Sequence, residues 1–256
     1  MKTAVITGGS SGIGKATAVL LSESGYRVYE LSRSGQSGSG VTHVTADLTD
    51  EPSVRAAFDS IPEAHIDLLV CNAGMGISGA VEHTALQDAR FLFNVNFFGA
   101  AACVAAARRR MSGGRIILLS SVAAVLPIPY QSYYSASKAA INALTLCLRS
   151  ELKIFGISVC ALLPGDVATG FTAARIKNDT GDSDYQGRIR RSVAVMEKDE
   201  RSGMSPQVLA RRIFRLAEKR YVKPFYSCGL SYQFFCLLAK LLPRSVSNWL
   251  VGKIYG

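Results

Sequence analysis

Several things are missing from this 256-residue chain, and each absence narrows what it can be. Its six cysteines, Cys71, Cys103, Cys147, Cys160, Cys228 and Cys236, include no C-x-x-C pair and no histidine partner at metal spacing. They are expected to be reduced core residues, which suits a cytoplasmic protein with no metal site. No Pro/Ser-rich linker divides the chain, so one domain spanning 1–256 is predicted. At the N-terminus Met-Lys leads directly into an apolar strand-like segment, with no secretory h-region. No apolar run is expected to approach the ~20 residues of a membrane span. Although the formal net charge is +10 and the pI about 9.5, Lys and Arg are spread among acids rather than gathered in a stripe. Nucleic acid is therefore not an expected partner. Charged residues make up 19% and hydrophobic residues 48%, a balance that supports a buried core and excludes a disordered chain.

What is present is an alternation of strand and helix patterns. Ala4-Val5-Ile6 reads as a short buried strand, followed by the glycine loop Thr7-Gly8-Gly9-Ser10-Ser11-Gly12-Ile13-Gly14 and an Ala/Leu-rich helix to Ser24. A strand, glycine loop and helix in that order can offer backbone N–H groups and a helix N-terminus to a pyrophosphate. The spacing is G-x-x-x-G-x-G, and glycines also make ordinary tight turns. A second strand, Arg27–Ser32, ends beside Arg33. An arginine there can accept the 2′-phosphate of NADP, where an acid would favour NAD, although a solvated loop arginine looks the same in sequence. Glu30, within the strand, is less well placed. A third strand, Val41–Ala46, ends at Asp47. The helix Asp50–Ile61 and the strand Ile66–Cys71 follow, the latter running into Asn72-Ala73-Gly74. A helix from about Leu86 to Arg110 carries the polar breaks Asn94 and Asn96, and Arg115–Leu119 is a fifth strand ending at Ser120 and Ser121. Ser158–Leu163 is a sixth, closed by Pro164-Gly165. Residues 166–204 lack clear periodicity and are read as a lid; a helix from Ser205-Pro206 follows. The result is an α/β fold with a Rossmann-type parallel sheet covered on both faces.

In Tyr134-Ser135-Ala136-Ser137-Lys138, a phenol and an ammonium stand four residues apart, on one face if the segment is helical. A cation near a phenol favours the phenolate, which suits proton transfer to or from a carbonyl or alcohol oxygen. The residues alone leave open a plainer role, with Tyr134 anchoring the helix start and Lys138 solvated.

Thr7-Gly8 with Gly12-Ile13-Gly14, Asp47-Leu48, Asn72-Ala73-Gly74, Asn96, Ser121, Tyr134 with Lys138, and Pro164-Gly165 before Val167 and Thr169 together resemble the short-chain dehydrogenase/reductase family. The likeness is strong over residues 2–169 and looser beyond. It implies an oxidoreductase in which Tyr134 is general acid or base, Lys138 lowers the tyrosine's pKa and holds the nicotinamide ribose, Ser121 binds the substrate oxygen and Asn96 holds a relay water. It also implies that Gly8, Gly12 and Gly14 line a pyrophosphate, with Ser10, Ser11 and Ile13 in the same loop. Asp47 and Leu48 would flank adenine, Ser32 and Arg33 would meet the ribose phosphate of NADP(H), and Asn72, Ala73 and Gly74 would support the cofactor. Val167 and Thr169, after Pro164 and Gly165, would hold the carboxamide. A binding protein that senses NADP without turnover is the alternative, and the intact catalytic set weighs against it.

The pattern is closest to steroid and retinoid dehydrogenases and their bacterial relatives. Met75, Ile77, Leu126, Ile128 and Phe171 are expected beside the cleft, suiting a small hydrophobic carbonyl or alcohol. A homodimer or homotetramer is expected by the same likeness. The apolar segment 230–256 is expected to cover the body or an interface in preference to a membrane surface.

Overall fold

The computed structural model describes residues 1–256. Nine strands form in chain order: β1 (Thr3–Thr7), β2 (Arg27–Ser32), β3 (Val41–Thr45), β4 (Leu68–Cys71), β5 (Ile77–Ser78), β6 (Arg115–Leu119), β7 (Ser158–Pro164), β8 (Ile176–Lys177) and β9 (Phe225–Cys228). Seven make one parallel sheet in the order β3-β2-β1-β4-β6-β7-β9. The strands read as continuous apolar runs because both sheet faces are covered. On one face the helices α1 (Gly12–Glu23) and α8 (Pro206–Glu218) enclose a core containing Ile6, Leu21, Val70, Ile117 and Ile213. On the other lie α2 (Glu51–Asp59), α3 (Leu86–Phe93), α4 (Gly99–Arg108) and α5 (Ser132–Glu151), around Val5, Phe58, Leu69, Cys103 and Ile141. Since every strand runs the same way, the carboxyl ends of β1, β4, β6 and β7 share one edge, where an open α/β sheet binds ligands.

Local chemistry sets the element ends. Asp50 caps α2 by accepting from the Ser53 amide at 3.1 Å, and Pro52 occupies the first turn, where its missing N–H costs nothing. No Gly or Pro interrupts α5, which ends through a short 3₁₀ turn at Gly156 with φ of 71°.

The structure revises four expectations. The predicted single helix from Leu86 to Arg110 is two helices joined by a π-turn, Asn94–Phe98, and the widened turn carries the buried Asn96. This segment, Leu86–Arg108, is also long and apolar enough to cross a membrane by composition, with mean hydropathy 1.4, contrary to the expectation that no run approaches that length. Its buried residues Leu92, Ala100, Cys103 and Ala107 pack on the domain instead. Within 166–204, the short helix α6 (Phe171–Ala174) and the longer α7 (Arg188–Arg201) replace an irregular lid. α7 buries only Ile189, Ser192 and Met196, so charged residues mask its narrow buried stripe. Finally, β9 was not anticipated, and the apolar tail forms two helices, α9 (Leu230–Leu241) and α10 (Arg244–Tyr255), separated at Pro243.

Candidate active site

The carboxyl ends of β1 and β4 are tied together before any ligand is considered. Thr7 Oγ1 accepts from the Asn72 and Ala73 amides, each at 3.1 Å, and Asn72 Nδ2 donates to the carbonyls of Thr7 and Gly8 at 3.0 and 3.1 Å. Gly8 has a φ of 66°, and a Cβ there would stand 2.9 Å from Ala73 Cα, so the loop can approach β4 this closely only as glycine. The loop delivers Gly8, Ser10, Ser11, Gly12 and Ile13 to the wall of a cavity of about 830 Å³, with the N-terminus of α1 opening onto it. Gly14 does not reach that wall. It packs behind the loop against the Gly8 carbonyl and Asn72, so its expected place at a pyrophosphate is corrected to a supporting one.

At one end of the cavity stand Ser32, Arg33, Asp47 and Leu48. Arg33 is exposed, and its positive charge helps hold Asp47 below the usual carboxylate range, after the larger effect of Thr49, whose amide and hydroxyl donate to Asp47 at 2.9 and 2.8 Å. Glu30 lies outside the wall. It packs under Gly9 and Gly35, pairs with His43 and accepts from Ser32 Oγ at 3.2 Å. Asn72, Ala73 and Gly74 line the middle, and Pro164, Gly165, Val167 and Thr169 the far side.

Around the reacting position, α5 presents Tyr134 and Lys138 to the cavity as a pair four residues apart. Lys138 is buried; its Nζ donates to the Leu119 carbonyl at 2.9 Å and lies 5.8 Å from the Tyr134 ring centroid. The Ser121 hydroxyl stands near Tyr134, where it favours the phenolate, and its oxygen accepts from the Ala123 amide at 3.1 Å, which fixes its direction. Ser120 is engaged elsewhere, donating to the Lys138 carbonyl at 3.1 Å.

Asn96 is not part of the wall. From the π-turn it accepts from the Met75 amide at 2.8 Å, donates to the Met75 carbonyl at 3.0 Å, and donates to Ser137 Oγ at 3.1 Å. A Cβ at Gly74 would lie 3.2 Å from Asn96 Oδ1 and 3.3 Å from Lys138 Nζ, so this glycine lets the two groups converge.

Burial raises the Tyr134 phenol to about 12, opposed by the Ser121 hydroxyl, with smaller effects from Glu200, Arg175 and Asp166. Burial also lowers the Lys138 ammonium to about 8. Lys138 is expected to lower the tyrosine's pKa, whereas the net direction in this structure is upward, because burial dominates. At neutral pH Tyr134 is therefore a protonated phenol beside a serine hydroxyl, facing an open cavity. Such a pair can bind a carbonyl oxygen and give it a proton.

The order and spacing of these groups along parallel strands are matched elsewhere. The sequence pattern of the short chain dehydrogenases fits residues 2–180. This chain belongs to that family. It is 40% identical over 224 residues, 84% of this chain and 83% of the other, to a 3-ketodihydrosphingosine reductase of Bacteroides thetaiotaomicron. A short-chain dehydrogenase from Streptomyces avermitilis superposes with a TM-score of 0.85 at 25% identity, over 98% of this chain and 95% of that one. A short-chain dehydrogenase/reductase from Burkholderia phymatum, solved in complex with NAD, gives 0.79 at 26% identity, over 93% and 92%. The short-chain dehydrogenase chain is thus an oxidoreductase with a nucleotide-binding Rossmann-type domain. The Gly8–Ile13 loop, the α1 N-terminus and the cavity running from Arg33 to Thr169 fit a dinucleotide, whose nicotinamide would supply the hydride.

Met75, Leu126, Ile128 and Phe171 flank the cavity as expected, whereas Ile77 is turned away into the two-residue pairing of β5 with β8. The unanticipated wall comes from the C-terminal helices: Tyr232, Phe235 and Leu238 of α9, Leu242 just after it, and Leu250, Val251, Ile254 and Tyr255 of α10. Tyr232 hydrogen-bonds Asp166, and its ring lies so close to Gly165 that a Cβ there would overlap it. A 3–4 spacing of apolar residues from Phe235 to Leu242 was the available sequence signal.

Proposed function

We propose that this dehydrogenase is an NADPH-dependent reductase converting a ketone on a long apolar chain to the secondary alcohol. The observation that carries the reading is Tyr134 beside Ser121 and Lys138, opening onto a cavity roofed by apolar residues of two helices. Tyr134 gives its proton to the carbonyl oxygen while Ser121 holds that oxygen, and Lys138 steadies the ribose side. Arg33 at the outer end, with Glu30 engaged by His43, favours the 2′-phosphate of NADPH over NADH. The activity named for the Bacteroides relative favours a long-chain 3-keto substrate over the steroid- or retinoid-like one expected from sequence pattern. The six free cysteines suit the reducing cytoplasm. The exposed Phe98, Leu146 and Phe155, at the end of the π-turn, on α5 and just after it, support a homodimer or homotetramer.

The test is NADPH consumption by the purified chain with 3-ketodihydrosphingosine, a steroid ketone and retinal in parallel. Turnover of the long-chain ketone that disappears in Tyr134→Phe is expected. Turnover of the steroid ketone alone, or equal use of NADH, would overturn the corresponding part of the reading.

A further inference from the structure

Covering the cavity and meeting a bilayer are not alternatives for the C-terminal helices, because α9 is apolar on both faces. Phe235, Leu238 and Leu242 face the cavity, while Leu230, Phe234, Leu237 and Leu241 form an outward stripe at steps of four, three and four residues. These outward residues are not marginal: Leu230 is 87% exposed, Leu241 74% and Phe234 59%. Val246 and Trp249 continue the exposed surface on α10, Trp249 being 60% exposed. A helix with apolar residues all round requires an apolar neighbour on each side, and the cavity supplies only one.

Charge selects the other. No Asp or Glu follows Glu218, whereas Lys219, Arg220, Lys223, Lys240, Arg244 and Lys253 all do. Lys240, Arg244 and Lys253 lie on the two helices themselves, and Lys253 Nζ is 5.9 Å from the Trp249 ring centroid. Two copies of this surface pressed together would bring cations against cations with no carboxylate from either tail to neutralise them. Anionic lipid headgroups neutralise them, and an interfacial tryptophan beside lysine suits the boundary between headgroups and acyl chains.

We propose that α9 and α10 dock this protein on an anionic bilayer surface, with the outward stripe of α9 and Trp249 in the interface and Lys240, Arg244 and Lys253 against the headgroups. Docking is independent of the substrate. If the proposed reduction of a long-chain ketone also holds, the lipid reaches the cavity through the same two helices.

Flotation of the full chain on vesicles of phosphatidylcholine, with and without about one-third phosphatidylserine, reads docking without reading turnover. About ten-fold more protein is expected to float with phosphatidylserine, and added salt should reduce that binding. Phe234→Ser/Leu237→Ser/Leu241→Ser/Trp249→Ser changes only exposed side chains outside the cavity wall and should abolish flotation, with NADPH affinity unchanged. Lys240→Gln/Arg244→Gln/Lys253→Gln should remove the preference for phosphatidylserine. Equal binding to both vesicles, or none, would overturn the proposal. So would a dimer in sedimentation that the serine variant converts to monomer while neither protein floats, since the surface would then bind a second copy.

Discussion

Gly14 and Gly252 both lie in helices, and replacing each by alanine should move stability in opposite directions. In α10 a Cβ at Gly252 meets no atom within 4 Å, so Gly252→Ala gains the usual preference of alanine over glycine, ~0.5–1 kcal/mol. In α1 a Cβ at Gly14 would overlap the Gly8 carbonyl oxygen and lie 2.5 Å from Asn72 Nδ2. Overpacking costs ~1–3 kcal/mol, and loss of the Asn72 hydrogen bonds to Thr7 and Gly8 adds ~0.5–1.5 kcal/mol each. Set against the same helical gain, Gly14→Ala is expected to destabilise by ~1–5 kcal/mol, with a middle value of ~3 kcal/mol. For a chain of this size the middle value lowers Tm by ~6–12 °C. The displaced loop also carries Ser10 to Ile13 at the cavity, so NADPH affinity should fall at least ~10-fold, equivalent to ~1.4 kcal/mol. Urea unfolding followed by circular dichroism, with NADPH fluorescence titration, measures both. If Gly14→Ala were as stable as Gly252→Ala and bound NADPH normally, the proposed fit between loop, helix and Asn72 would be wrong.

Tyr134→Phe should cut turnover ~10²–10⁴-fold with NADPH affinity within about two-fold, because it removes the proton donor and leaves the ring packed on Phe171; single-turnover kinetics would show this, and retained turnover would exclude the tyrosine as acid. Arg33→Ala should weaken NADPH by ~10–100-fold and leave NADH unchanged, as expected for loss of charge-assisted hydrogen bonds of ~1.5–3 kcal/mol; paired titrations decide it. Lys138, lowered to about 8 by burial, binds a proton less readily in the folded chain than in the unfolded chain, so stability should rise as pH increases from about 8 toward the unfolded lysine range. In the same interval NADPH affinity should fall as the ammonium is lost, and Lys138→Met should flatten both profiles in calorimetry.

Sequence alone determined the alternating pattern, the parallel sheet and the pairing of Tyr134 with Lys138, because those depend on local periods: apolar strands, a 3.6-residue helical turn, glycines at fixed offsets. The family resemblance also singled out Ser121 as the serine beside Tyr134. Tertiary structure decided what depends on approach between distant segments. Gly14 became a packing glycine because Asn72, fifty-eight residues later, fills the space its side chain would take. Tyr134 stays protonated because its burial outweighs the opposing effect of the Ser121 hydroxyl, a balance that no four-residue spacing encodes. Gly165 has to be small because Tyr232 arrives from α9 to lie on it, and the helix that brings Tyr232 shows an apolar face in each direction. Residue order records that both sides of α9 are apolar. Only folding reveals that one side is already covered and the other is not.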